Sequence, residues 1–118
     1  DPTRPIYLQI MEEVKKRAVR GNYAAGEQLP SVRDMATQMG VNPNTMSRAY
    51  QELEREGFIH TKRGEGSFLT HESVRIESER TGLAQAACAH FVVQLRDLAL
   101  DAATTRHLLQ RVEEEVNE

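Results

Sequence analysis

The chain has 118 residues, of which 28% are charged and only 5% aromatic, with a formal charge of −3. That length holds one ordinary domain or a small domain with an appendage, and the composition is globular with a small aliphatic core. No apolar run is long enough to span a bilayer. The net charge alone argues against a nucleic-acid partner, but its distribution does not. Residues 1–70 carry ten Lys/Arg and nine Asp/Glu, and residues 71–118 carry five and nine. A local basic patch in the near-neutral front half is therefore open.

The N-terminal "DPTRPIYLQI" has neither the basic n-region nor the cleavage site of a signal peptide, and without an initiator Met it reads as trimmed. The single cysteine, Cys88, excludes an intrachain disulfide and fits a reducing compartment. A first helix is expected from Pro5, because Ile6, Ile10, Met11, Val14 and Ala18 recur at helical spacing. Lys15, Lys16, Arg17 and Arg20 lie near its end, where cations complement the helix dipole. Gly21 and "NYAAGEQLP" break it.

Ser31, with Asp34 three places on, opens a second helix that buries Met35, Ala36 and Met39 and stops at Gly40. Asn42 is an N-cap candidate and Pro43 suits the first position of a third helix, whose buried stripe is Met46, Ala49, Tyr50 and Leu53. Two short helices around a tight Gly-containing turn form a helix-turn-helix. Residues 58–61 and 67–70 then read as strands around a turn containing Gly64 and Gly66. Three helices and a hairpin make a winged helix-turn-helix, mostly α with a small β-hairpin. Residues 71–82, charged and poor in apolar groups, read as a linker.

Beyond it, Ala84, Cys88, Phe91, Leu95, Leu98 and Ala102 alternate at spacings of four and three, a heptad-like seam. Asp101 or Thr104 caps a last helix that turns Leu108, Leu109, Val112 and Val116 inward. Residues 83–118 thus form a two-helix unit too small to enclose a core of its own. A second copy is the expected cover, and folding back on the front domain is the competing one. The seam gives Cys88 a packing role ahead of a redox one.

The polar start of the third helix carries the functional reading. Helix N-termini expose N–H groups and partial positive charge, and in a helix-turn-helix this end enters the major groove. Asn42, Asn44, Thr45 and Ser47 bear groups that bond base edges or phosphates, with Pro43 among them, and Arg48 follows about one turn on. Arg33 occupies a first helical turn, an unfavourable place for a cation unless an anion meets it; a phosphate and the neighbouring Asp34 are both candidates. Lys62 and Arg63 at the Gly-rich hairpin tip suit a wing on the DNA backbone. The plainer alternative makes Asn42 a cap, its neighbours a solvated face and the wing cations aids to solubility.

No nucleophile elbow, Walker loop, HExxH or CxxC occurs, so no enzyme and no cofactor is expected. "KRGEGS" lies in a hairpin and lacks the ending of a phosphate loop. His90 and His107 lack the clustered spacing of a metal site.

The residues "LPSVRDMATQMGVNPNTMSRAYQELEREGFIHTKRGEGSFL" (29–69) resemble the GntR family of bacterial transcription regulators, and the short helical rear resembles its YtrA-type subfamily. The resemblance implies a cytoplasmic, homodimeric repressor that binds a palindromic double-stranded DNA operator. It implies a rear half that dimerises and senses a small-molecule effector, housed between the tail helices or between tail and front. Family DNA contacts fall on Arg33, the start of the third helix and Gly66. Many relatives carry arginines at the positions of Pro43 and Ser47, so base preference does not transfer. A winged-helix protein-interaction adaptor that ignores DNA is the alternative from another class.

Overall fold

A computed structural model describes residues 2–118 and divides the chain into two compact units, Asp1–Gly82 and Leu83–Glu118. The first unit contains α1 (Ile6–Val19), α2 (Val32–Met39), α3 (Pro43–Arg55), β1 (Ile59–Lys62) and β2 (Gly66–Leu69). It also holds the start of α4 (Ser73–Arg96), a helix that continues into the second unit, and α5 (Ala102–Val116) completes the chain.

The helical stripes expected from the sequence build the core. Val14 from α1, Met35 from α2, and Met46, Ala49 and Leu53 from α3 are fully buried, with Phe58, Ile59 and Leu69 closing the sheet side. Burying a Leu, Met or Phe side chain contributes about 1.5–3 kcal/mol, so this cluster holds the unit together. Tyr50 adds a polar tie: its hydroxyl donates to the Pro30 carbonyl at 2.6 Å and fastens α3 to the chain entering α2. Burial, with Tyr23 nearby, pushes the phenol's pKa up and keeps it a donor.

Local chemistry sets the helix-turn-helix angle. Ser31 caps α2 by accepting the Asp34 N–H at 3.1 Å. Gly40 ends α2 at φ 67°, a left-handed conformation that L side chains rarely adopt, and the Val41 N–H closes back onto the Ala36 carbonyl at 3.0 Å. Asn42 Oδ1 accepts the Asn44 N–H at 2.7 Å and Pro43 occupies the first turn of α3.

The hairpin is antiparallel, with Ile59 opposite Leu69 and Lys62 opposite Gly66. Its turn is Arg63-Gly64-Glu65, one residue further along β1 and tighter than the sequence suggests, because the Glu65 N–H reaches the Lys62 carbonyl at 2.9 Å. A third edge joins it: the Leu29 N–H donates to Ser67 O at 2.8 Å and the Leu69 N–H to Glu27 O at 2.9 Å.

Two expectations need correction. Residues 71–82, read as a linker, are mostly helical and belong to the first unit: α4 begins at Ser73 and its first turns pack within that unit. Ile76 is buried in the core, Arg75 Nη1 donates to the Glu56 carbonyl at 2.8 Å, and Lys15 bridges Glu56 and Glu79 at 3.0 and 3.3 Å. The six-residue seam is also broken. Ala84, Cys88, Phe91 and Leu95 lie on α4, but the helix ends at Arg96, which places Leu98 in the turn and Ala102 at the start of α5. Ala99 turns the chain at φ 50°, and Asp101 caps α5 by accepting the Thr104 N–H at 2.8 Å. The Thr104 side chain, together with that backbone bond, holds the Asp101 carboxyl below its ordinary pKa.

Within the second unit no described residue is fully buried. Phe91, Leu95, Leu100 and Leu108 are half-buried, while Leu98, Leu109, Val112 and Val116 stand exposed and Cys88 is open to solvent. Val92, Leu95, Arg96, Ala99, Leu100 and Thr105 line an open notch of about 400 Å³ in this unit.

Candidate nucleic-acid interface

The cations of the first unit sort themselves by partner. Arg4, Lys15, Lys16, Arg17, Arg20, Arg55, Arg75 and Arg80 all sit within 4.0 Å of a carboxylate. The remaining four, Arg33, Arg48, Lys62 and Arg63, have no carboxylate partner among the described residues. All four are exposed. They belong to the first turn of α2, the exposed side of α3 and the hairpin. The plain reading of Arg33, neutralised by Asp34, is not what the side chains do.

Each is presented differently. Arg33 leaves α2 in its first turn, where its own carbonyl accepts the Thr37 hydroxyl at 3.1 Å. Arg48 reaches over the Tyr7 ring, its Cζ 3.9 Å from the centroid. Lys62 Nζ stands 4.9 Å over the Phe68 ring on the outer face of the hairpin. Arg63 and Gly64 form the tip, with the carboxylate of Glu65 in the same turn. Carboxylate-free, exposed guanidinium and ammonium groups keep their donors for an anion from outside.

The start of α3 divides into open and half-covered positions. Asn42, Pro43, Asn44 and Arg48 are exposed, whereas Thr45 and Ser47 are half-buried beside the core stripe. Asn42 is therefore the cap that the plainer reading made it: its Oδ1 is committed to Asn44, which leaves only its amide N–H groups to offer. Pro43 has no donor and offers only apolar contact. Gln51, exposed and one turn beyond Ser47, shares the outward face with Asn44 and Arg48 and was missed. The helical repeat that placed Arg48 there also places Gln51.

Gly66 has a structural reason of its own. It adopts φ 121°, and a Cβ built on it would lie 2.5 Å from Gln28 Nε2. That amide donates to the Glu65 carbonyl at 2.8 Å, so Gln28 braces the hairpin from outside; a Cβ would displace this brace, and the positive φ itself calls for glycine. Gly66 thereby shapes the wing, whatever else it touches. Among the described residues no group of three or more His, Cys, Asp or Glu could hold a metal, and no helix is long and apolar enough to cross a membrane.

A helix-turn-helix whose second helix exposes a polar tip, flanked by a hairpin with unpaired cations, defines a winged-helix DNA-binding protein. Comparison with known proteins agrees. The family model "Bacterial regulatory proteins, gntR family" matches residues 6–69. The chain is 39% identical over 114 residues to the transcriptional repressor YtrA of Bacillus subtilis (strain 168), covering 97% of this chain and 83% of YtrA. It superposes on a GntR family transcriptional regulator from Listeria monocytogenes with a TM-score of 0.82 at 36% identity, covering 94% of this chain and 97% of that one. The DNA-binding domain of AraR, solved in complex with operator ORX1, aligns at 25% identity and a TM-score of 0.54, covering 58% of this chain and 82% of that one. The chain belongs to the GntR family of bacterial transcriptional regulators and, by its likeness to YtrA along nearly its whole length, to the YtrA type. It is a DNA-binding regulator and not an enzyme.

Proposed function

We propose that this regulator binds a palindromic operator as a homodimer in the cytoplasm and represses transcription there, with release by a small-molecule effector. The observation that carries the DNA-reading part is the set of four cations without carboxylates, all drawn from the helix-turn-helix and the hairpin. In this reading the tip of α3 enters the major groove. Asn44 and Arg48 meet base edges, with Thr45 and Ser47 reaching the groove wall, and the free amide of Asn42 and the ring of Pro43 flank them. Arg33 binds a phosphate beside the groove. Lys62, Arg63 and the open backbone at Gly64 follow the adjoining strand, while Gly66 keeps the wing in shape.

Repression comes to this chain from its likeness to YtrA, and operator binding from AraR. Dimerisation is supported by the rear unit, which contains two helices with apolar stripes and no buried residue of its own. Ala84, Cys88, Phe91 and Leu95 of α4, Leu98 of the turn, and Leu108, Leu109 and Val112 of α5 are assigned to the contact between copies. A two-fold pair would present two α3 tips to matching half-sites. The notch lined by Val92, Leu95, Arg96, Ala99, Leu100 and Thr105 is the place for the effector, a small molecule with an apolar body and an anionic or hydrogen-bond-accepting group for Arg96.

The test is duplex binding as a function of salt. Each neutralised phosphate steepens the fall of log K with log salt by about 0.9, so a dimer using Arg33, Lys62 and Arg63 in both halves should show a slope near −5. A salt-independent or absent interaction with any duplex leaves the protein-interaction adaptor as the surviving account.

A further inference from the structure

We propose that Tyr7 is a positioning residue for operator reading: its ring is the platform that holds the Arg48 guanidinium in the plane where it meets a base or a phosphate. This rests on the reading that α3 faces the operator. Arg48 has a carboxylate within reach along its own helix, Glu52 one turn on, yet Glu52 is held by Arg55 at 3.0 Å. An arginine placed N-terminal to a glutamate is the weaker orientation of such a pair. Arg48 instead crosses to α1 and lies 3.9 Å from the centroid of the Tyr7 ring. Tyr7 is half-buried and packed against the core, so its ring is a fixed surface, while Arg48 remains exposed.

A cation–π contact at 3.9 Å holds the guanidinium against the ring without engaging its N–H donors in a hydrogen bond. The donors of an arginine all lie in the plane of the group, so a guanidinium held this way loses rotational freedom and keeps its hydrogen-bonding fork. Among the described residues no hydrogen bond or ion pair uses that fork. A long, otherwise floppy side chain is thus pre-oriented before any ligand arrives, which reduces the ordering cost of a bidentate contact. The first turn of α1 thereby becomes part of the reading surface.

The experiment measures operator affinity for the full chain and for Tyr7→Phe, Tyr7→Leu, Arg48→Ala and the Tyr7→Leu/Arg48→Ala double variant. A duplex selected from a random pool is used, together with derivatives changed one base pair at a time. Tyr7→Phe keeps the ring and should bind within about twofold of the parent. Tyr7→Leu should weaken binding about twofold to fivefold, the scale of an exposed cation–π pair. Its loss of discrimination should fall at the base pairs that Arg48→Ala affects, and in the Arg48→Ala background it should cost nothing further.

Equal losses from Tyr7→Leu with and without Arg48 overturn the proposal, as does unchanged binding by Tyr7→Leu where Arg48→Ala is impaired. If Arg48→Ala binds like the parent, Tyr7 has nothing to position and the proposal falls. The wider reading then stands or falls separately on Arg33→Ala. Should Tyr7→Leu melt below the assay temperature, Tyr7→Met keeps the bulk without the ring and answers the same question.

Discussion

The two units of this chain meet the problem of stability in opposite ways. The front unit buries residues from every one of its elements, down to Val14, Met35, Met46, Leu53 and Ile59 at full burial. The rear unit, Leu83–Glu118, buries none of its described residues and leaves Leu98, Leu109 and Val116 at least half exposed. Short caps and tight turns suffice where helices from three directions meet a hairpin; two helices alone have no inside. The lesson is that the front is a domain and the rear is half of one.

The largest effect follows directly. Residues 83–118 expressed alone should be helical only as a dimer and lose their helix on dilution by circular dichroism, whereas residues 1–82 should melt cooperatively and independently of concentration. A rear fragment that is helical and monomeric would erase the contrast. Next in size, Leu95→Glu should shift the full chain from dimer to monomer in sedimentation, because a carboxylate would enter the apolar stripe of α4. Operator affinity should fall with it, and a mutant that remains dimeric would remove Leu95 from the contact.

Arg33→Ala should weaken operator binding about equally across sequences and flatten the salt slope by about 1 per half-site, without moving the melting temperature, since its side chain holds no partner in the fold. Loss of stability instead would show that Arg33 belongs to the packing. Tyr50→Phe, which removes the hydroxyl bonded to Pro30, should cost about 1 kcal/mol of unfolding free energy in the front unit. The smallest effect has a telling sign. The rear unit carries three arginines against six Asp/Glu, so moderate salt should leave dimerisation unchanged or slightly tighter while it loosens DNA.

The front unit was legible because its signals are local. Ser31, Gly40, Asn42 and Pro43 each act on the backbone beside them, and the apolar positions of the three helices recur at helical spacing. The start of α4 was not legible. Only Ile76 of its first turns enters the core, and the rest, from Ser73 to Ser78, is polar or exposed, a composition indistinguishable from a solvated linker. The break after Arg96 was equally hidden, because Asp97-Leu98-Ala99-Leu100 contains neither Gly nor Pro and turns on an alanine at positive φ. Of the site, the unpaired cations could be named from their positions in a helix-turn-helix and wing. Their freedom from carboxylates could not, since pairing depends on which glutamate lies nearby in space. The Tyr7–Arg48 contact joins residues far apart in the chain and has no local signature.

Selection of bound duplexes from a random pool measures at once whether the cation-bearing front reads DNA and whether it does so in pairs. It should return a two-fold symmetric consensus whose half-sites repeat about one helical turn apart, on the same groove face. A consensus lacking symmetry, or a pool with no enrichment over random duplex, would contradict paired DNA reading.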